Sequence, residues 1–195
     1  MSVVVVDTGV ANLHSVTSAL DRLDADWTVS SDLIAISAAD RVILPGVGSA
    51  KAGMEALARE ELVELLQSYD RPLLGICLGM QLLFHGLGES GGQGLGRLDG
   101  DIAKLDTDGQ PLPHMGWNTL SGVSDDPLTD GLRNGDYVYF VHSYAAAPTG
   151  QALATSHYGE SFIAIARENN VMGCQFHPER SGAVGARILE NFLSL

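Results

Sequence analysis

The stretch Pro72-Leu73-Leu74-Gly75-Ile76-Cys77-Leu78-Gly79-Met80-Gln81-Leu82-Leu83-Phe84 constrains this chain more than any other. An apolar run too short for a helix ends at a glycine; a cysteine, a second glycine and residues in helical apolar rhythm follow. The spacing predicts strand, sharp turn and helix, with Cys77 at the turn. Gly75-x-Cys77-x-Gly79 is the thiol form of the G-x-S-x-G nucleophile elbow. A nucleophile on so tight a turn takes a strained backbone conformation, which neighbours without side chains make tolerable. A helix opening at Leu78 aims free N–H groups and the positive end of its dipole at the sulfur, favouring thiolate. The Leu78 N–H is also placed to donate to an oxyanion. Taken alone, the pattern also fits a small buried hydrophobe, which is what most free cysteines are.

A second stretch decides between the two. Val171-Met172-Gly173-Cys174-Gln175-Phe176-His177-Pro178-Glu179-Arg180-Ser181 reads as a buried strand running into an extended His-Pro-Glu. Pro178 fixes its own φ and biases His177 towards extended geometry. In an extended segment His177 and Glu179, two apart, project to the same side. The imidazole can then face a nucleophile while the carboxylate holds its other nitrogen. That is the base and its orienter in a Cys77-His177-Glu179 triad.

The elbow Gly75–Gln81 and the terminal His177-Pro178-Glu179 resemble those of class I (triad-type) glutamine amidotransferases. Four further stretches narrow the match: Leu44-Pro45-Gly46-Val47-Gly48-Ser49, Gly79-Met80-Gln81-Leu82-Leu83-Phe84, Pro113-His114-Met115-Gly116-Trp117-Asn118 and Tyr139-Phe140-Val141-His142-Ser143-Tyr144. Together they are similar to the glutaminase subunits of imidazole glycerol phosphate synthases, in histidine biosynthesis. The resemblance runs from Asp7 to the C-terminus with every motif in order. Elbow and triad fix only the superfamily; Pro45–Gly48 and Pro113–Asn118 carry the narrower match.

At 195 residues the chain reads as a single domain, 1–195, able to bury roughly 70% of its unfolded surface. No apolar run approaches the ~20 residues needed to span a bilayer. Val3–Val6 reaches Asp7 without a basic n-region, so it is expected to be a first strand and not a signal peptide. Two cysteines far apart make no disulfide framework, and a required free thiol points to the cytoplasm. Cys174, in the apolar Val171–Phe176 run, reads as a core residue. A net charge of −13 argues against nucleic acid. With only Lys51 and Lys104 as lysines among eleven basic residues, a phosphorylated substrate is expected to bind elsewhere, on a partner.

Along the chain, Val3–Val6 is a buried strand, and Leu13, Val16, Leu20 and Leu23 follow at helical spacing, with Asn12 as their N-cap. Trp27–Val29 and Arg41–Leu44 are strands. Met54, Leu57, Ala58, Leu62, Leu65 and Leu66 mark one long amphipathic helix, with Lys51, Glu55, Arg59 and Glu64 outward. After Asp101 short strands take over, at Ile102–Leu105, Trp117–Leu120, Tyr137–Val141, Ala152–Ser156, Phe162–Ala166 and Val171–Phe176. The last element is a helix over Ala183–Leu193. The pattern predicts an α/β three-layer sandwich: a mostly parallel central sheet carrying the elbow, and a smaller antiparallel strand region in the C-terminal half.

Two glycine-rich stretches imitate nucleotide motifs. Gly86-Leu87-Gly88-Glu89-Ser90-Gly91 matches G-x-G-x-x-G by letter but follows a helix, and it reads as a mobile loop. Gly46-Val47-Gly48-Ser49-Ala50-Lys51 lies between strand and helix but lacks the third glycine at the right spacing. The alternative is that Gly46 and Gly48 let a peptide rotate, so the Val47 N–H enters or leaves an oxyanion hole. His114 and His142 lack metal-ligand spacing, and His14, His85 and His157 read as exposed or locally bonded. No metal and no cofactor are expected.

The resemblance implies attack of the Cys77 thiolate on the side-chain amide carbon of glutamine. His177 protonates the leaving ammonia and then activates the water that hydrolyses the thioester; Glu179 orients it. It further implies an oxyanion hole from the Val47 and Leu78 N–H groups, and glutamine positioning by Gln81, Glu89 and the Ser143-Tyr144 backbone. The partner implied is a (β/α)8 cyclase, as a heterodimer, which receives ammonia internally. It turns a phosphoribulosyl-formimino aminoimidazole carboxamide ribonucleotide into imidazole glycerol phosphate and an aminoimidazole carboxamide ribonucleotide. Asn12, Trp117, Tyr139 and Arg180 are the residues implied to meet that cyclase. Arg180 stands where a lysine is common, keeping the charge but not the geometry. The competing readings are a glutaminase serving vitamin B6, purine or anthranilate synthesis, another cysteine hydrolase, and a non-catalytic interaction module.

Overall fold

The computed structural model describes residues 2–9 and 11–195. Its first strand, β1 (Val3–Val6), sets the layout: Val3 and Val5 enter one core cluster, Val4 and Val6 another. That is how a strand covered on both faces uses its alternation. There follow α1 (Leu13–Asp21), β2 (Trp27–Ser30), α2 (Leu33–Ala38), β3 (Arg41–Gly46), α3 (Ala50–Arg59), α4 (Leu62–Ser68), β4 (Leu73–Cys77) and α5 (Leu78–Leu82). Short strands fill most of the rest. They are β5 (Phe84–Leu87), β6 (Gly92–Gln93), β7 (Leu98–Lys104), β8 (His114–Thr119), β9 (Tyr137–His142), β10 (Tyr144–Ala146), β11 (Ala152–Tyr158), β12 (Glu160–Glu168) and β13 (Val171–Cys174), before α6 (Gly182–Ser194).

The central sheet runs β11-β12-β13-β4-β3-β1-β2. Strands β13, β4, β3, β1 and β2 are parallel, and β12 and β11 add on antiparallel at one edge. One face packs against α1 and α6 through Val16, Leu20, Ile188, Leu189 and Phe192. The other packs against α2 to α5 through Ile36, Leu57, Leu62, Leu66, Leu78 and Met80. This is the expected three-layer α/β sandwich. The smaller strands form a two-stranded ribbon, β8-β9, and a four-stranded sheet, β10-β7-β5-β6. The latter begins at Phe84, earlier than expected.

Three local expectations need correction. The helix read across Met54–Leu66 is two helices, α3 and α4. Glu61 at φ 58 takes the left-handed conformation between them, and no glycine or proline signals that break. The helix after Cys77 stops at Leu82, and Phe84 opens a strand; a fully buried apolar run looks alike in either form. The glycine-rich segment after it is no open loop, since β5 and β6 pair across it at Gly86↔Gln93 and Leu87↔Gly92. The helix α2 was not foreseen. Asp32 caps it, accepting the Ala35 N–H at 2.8 Å. Asn12 does occupy the cap position of α1, but its side chain makes no capping bond.

β3, β4 and β13 are adjacent and parallel, and their C-terminal ends deliver Gly46, Cys77 and the segment leading to His177 to one edge of the sheet. Open α/β sheets place their ligands there.

Candidate active site

Cys77 ends β4 at φ 53, ψ −110, and α5 begins at the next residue. Few side-chain-bearing residues adopt such angles, so the surroundings must hold it. They do so by contact. A Cβ on Gly79 would stand 1.8 Å from the carbonyl oxygen of Leu44, and one on Gly75 2.6 Å from the backbone of Met80. The two elbow glycines therefore let β3, β4 and α5 close on one another around the cysteine. Because α5 has only five residues, its dipole is a minor source of charge beside the sulfur. The main source is His177.

His177 leaves β13 in extended geometry, φ −95 and ψ 97, as Pro178 requires, and its N–H donates to the Tyr139 carbonyl at 3.0 Å. Pro178–Arg180 then forms a 3-10 turn. The expectation that Glu179 continues the extended segment is thus wrong, although the pairing it served is present. The turn, not a pleat, brings Glu179 Oε1 to 2.8 Å from His177 Nδ1. Ser181 pins it, its Oγ donating to the His177 carbonyl at 2.7 Å and accepting the Tyr139 N–H at 2.9 Å. With Nδ1 so held, the other ring nitrogen is left for the Cys77 sulfur, which hydrogen-bonds the imidazole. Burial opposes charge on His177, but Cys77 and Glu179 outweigh it and push its pKa up to about 10. The arrangement favours an imidazolium, with Cys77 on one side and Glu179 on the other. The Glu179 side chain is only 3% exposed, and its Oε2 is buried with no hydrogen-bond partner among the described residues.

A cavity of about 280 Å³ opens beside the sulfur, lined by Val47, Gly48, Cys77, Leu78, Gln81, Glu89, Pro113, Val141, His142, Ser143, Tyr144 and His177. All four residues expected to position glutamine, namely Gln81, Glu89, Ser143 and Tyr144, line it. Gln81 Nε2 donates to the Tyr144 carbonyl at 2.8 Å and to Gln175 Oε1 at 3.0 Å. Glu89 Oε2 accepts the Ala50 N–H at 2.7 Å, tying the β5–β6 turn to the start of α3. Val47, Gly48 and Leu78 also reach the cavity, but Gly46 does not. It is buried in β3, where a Cβ would meet Gly79 N and Leu78 Cβ at 3.0 Å. Gly46 therefore serves packing, and only Gly48, at φ +95 with open space around it, has the freedom assigned to both.

His114 and His142 form a pair that the sequence did not reveal. They face each other across β8-β9, with Nδ1 of His114 3.0 Å from Nε2 of His142. His142 Nδ1 can only donate to the Tyr144 carbonyl, 3.0 Å away, so its Nε2 must accept from His114. Nε2 of His114 in turn accepts from Asn118 Nδ2 at 3.2 Å. Burial lowers the pKa of His114 to about 4 and that of His142 to about 3, so both are neutral near pH 7. His14, His85 and His157 are exposed, as expected. Gln175 was also missed, although one amide in a run of buried apolar residues is a signal, since buried polar groups need partners.

The outer face of the β8-β9 ribbon is apolar and exposed. Trp117 is 55% exposed and meets Tyr139, its cross-strand partner, edge-on at 5.9 Å between ring centroids. Met115 and Tyr137 extend the patch at 62% and 60% exposed. Arg180 and Asn12 are exposed too, and Asn12 lines a small gap with Pro45, Val47, His177 and Glu179. Among the described residues, no helix is long and apolar enough to cross a membrane.

The family model for class-I glutamine amidotransferases matches residues 4–195. This chain belongs to that family. Within it, the chain is 48% identical over 202 residues to the imidazole glycerol phosphate synthase subunit HisH of Shewanella loihica, covering 98% of this chain and 90% of the relative. It is 47% identical to the HisH subunits of Yersinia pseudotuberculosis and Escherichia coli, in each case across the whole of both chains. Solved structures share the fold at greater distance. A putative GMP synthase protein from Thermoplasma acidophilum superposes with a TM-score of 0.76 at 20% identity, covering 100% of this chain and 92% of that one. PurLQS from Thermotoga maritima gives 0.74 at 21%, covering 99% and 97%.

Proposed function

We propose that this amidotransferase is the glutamine-hydrolysing subunit of an imidazole glycerol phosphate synthase in histidine biosynthesis, residues 1–195 acting as one domain in the cytoplasm. The observation that carries the chemistry is Cys77, held at a strained turn beside a cavity, with the His177 imidazolium bonded to it on one side and to Glu179 on the other. The pathway rests on relatives of that name matching the whole chain at 47–48% identity.

In this reading the Cys77 thiolate attacks the side-chain amide carbon of glutamine. Sulfur bonds to carbon, and the carbonyl electrons move to oxygen. His177 gives its proton to the leaving nitrogen, so ammonia departs and a thioester remains. The neutral imidazole then takes a proton from water, which attacks the thioester and returns the thiolate with glutamate. Glu179, accepting from Nδ1, stabilises the charged ring and fixes its orientation. The oxyanion is held by the N–H of Leu78, which has no acceptor within its own helix, and by that of Val47. Gln81, Glu89 and the Ser143–Tyr144 backbone hold the amino and carboxylate ends of glutamine.

Ammonia released here is useful only if it is not lost to solvent. The exposed apolar face of Met115, Trp117 and Tyr137, beside half-buried Tyr139 and with Asn12 and Arg180, supports docking of a (β/α)8 cyclase partner, which carries the phosphorylated acceptor that this acidic chain is poorly suited to bind. A glutaminase of another pathway would share the triad. The Pro45–Gly48 and Pro113–Asn118 motifs and the full-length relatives favour the histidine route. The test is ammonia release from glutamine with and without the cyclase partner. Turnover that ignores the cyclase but responds to a synthase of another pathway would reverse the assignment.

A further inference from the structure

We propose that Gln175 is a positioning residue for the nucleophile: Gln81 locks its side-chain amide so that the N–H group faces the Cys77 sulfur and favours thiolate. The inference rests on the reading of Cys77 as the nucleophile, but it concerns a contact that exists without substrate.

The orientation follows from a chain of obligatory donors and acceptors. It starts at the Tyr144 carbonyl oxygen, which can only accept, so the Gln81 group 2.8 Å from it must be the amide nitrogen. That nitrogen also lies 3.0 Å from one terminal atom of Gln175, which must therefore be the oxygen, since two amide nitrogens would not approach as partners. The nitrogen of Gln175 is left facing Cys77 Sγ, at 3.9 Å. The His142 ring holds the Tyr144 carbonyl from another side at 3.0 Å; His114 holds that ring, and Asn118 holds His114. An amide flip at Gln175 would thus break bonds as far back as a main-chain carbonyl.

Gln175 is 1% exposed, so water does not satisfy its N–H groups. Among the described residues the sulfur is the acceptor the structure gives them. A thiol is a weak acceptor and a thiolate a strong one. Burying this donor against the sulfur therefore costs least when Cys77 is ionised. It acts alongside the His177 imidazole, itself paired with Glu179, and against the Val141 carbonyl, which accepts from the thiol at 3.7 Å. Gln81 lines the cavity and Gln175 does not, so the pair connects the glutamine pocket to the nucleophile through one hydrogen bond.

The test is the pH profile of alkylation of Cys77 by iodoacetamide in the full chain, read by mass spectrometry of the Cys77 peptide. Cys174 is fully buried with its thiol pushed up by burial, and the peptide readout separates it in any case. Gln175→Met removes the donor at similar volume. Gln81→Met leaves Gln175 in place but removes what orients it. Both are expected to move the alkylation midpoint upward, by about one pH unit for Gln175→Met. Below the wild-type midpoint its alkylation slows about tenfold. With the cyclase present, Gln175→Met is expected to lower kcat for glutamine with KM within about twofold. A purely structural role would lower the melting temperature and leave the midpoint alone. A wild-type midpoint in either folded variant overturns the proposal; if Gln175→Met fails to fold, Gln81→Met decides it. Retained glutamine turnover in Cys77→Ala would instead overturn the nucleophile reading, and the alkylation profile is independent of that result.

Discussion

His177 Nδ1 stands 2.8 Å from Glu179 Oε1 across a single 3-10 turn, so one short segment sets both the base and the group that charges it. Glu179→Gln should therefore slow glutamine hydrolysis without ending it. An amide oxygen still accepts from Nδ1, but the imidazolium loses its anion. A fall of about 10–100-fold in kcat is expected, against a larger loss in His177→Ala, which has no group to move protons at all. Steady-state kinetics with the cyclase present checks the order. If Glu179→Gln proves the more damaging, the roles are wrongly assigned.

The elbow depends on close backbone approach, and Gly79→Ala tests it. Its Cβ would overlap the Leu44 carbonyl oxygen, with main chain on both sides and nothing able to yield. A destabilisation of about 3–5 kcal/mol is expected in denaturant melts. At Gly150 a Cβ meets nothing within 4 Å, and Gly150→Ala should stay within about 0.5 kcal/mol of the wild type. Equal stability of the two variants would contradict the packing account.

The buried histidine pair makes an acid-side prediction. Folded pKa values of about 4 and 3 lie below the ordinary 6.5, so the unfolded chain takes up these protons first as pH falls. Their contribution is fully present above pH 6.5 and is lost as pH falls towards 4 and 3. The loss runs at about 1.4 kcal/mol per pH unit for each histidine. His114→Phe should be less stable at pH 7, because His142 loses its donor, yet lose less stability between pH 6.5 and 4.5. Urea melts across that range read it out, and parallel curves would show that the pair does not titrate as described.

What could be read in the sequence followed from steric necessity. Gly75-x-Cys77-x-Gly79 encodes a turn whose close backbone approach requires the two glycines, and the α/β alternation from Val3 to Cys77 left little choice of architecture. What could not be read depended on tertiary context. The break at Glu61 rests on an ordinary residue taking left-handed angles, and Phe84 is fully buried whether strand or helix. Glu179 was paired correctly but by the wrong geometry, because a proline that forbids helix at His177 still allows a 3-10 turn after it. His114–His142 and Gln81–Gln175 join residues 28 and 94 apart, and only the fold brings them together.

Control by the partner should pass through Gly48. At φ +95, with open space around it, this residue lets the Val47–Gly48 peptide change orientation at small cost and so move a main-chain N–H beside the cavity, while buried Gly46 stays fixed. The isolated chain is expected to hydrolyse glutamine slowly, and the cyclase with its nucleotide bound to accelerate it about 10²–10³-fold, the worth of one oxyanion donor. Gly48→Pro should blunt that stimulation while leaving partner binding largely intact. Full basal activity in the isolated wild type, unchanged by cyclase and nucleotide, would remove the switch.

The most direct measurement compares two assays of the chain assembled with its cyclase, one supplied with glutamine and one with free ammonia, for wild type and Cys77→Ala. The thiolate makes the covalent bond to glutamine, whereas the acceptor nucleotide binds on the partner. Cys77→Ala should therefore lose imidazole glycerol phosphate formation from glutamine and keep it from ammonia at the wild-type rate. Glutamine-dependent product persisting in Cys77→Ala would contradict the account.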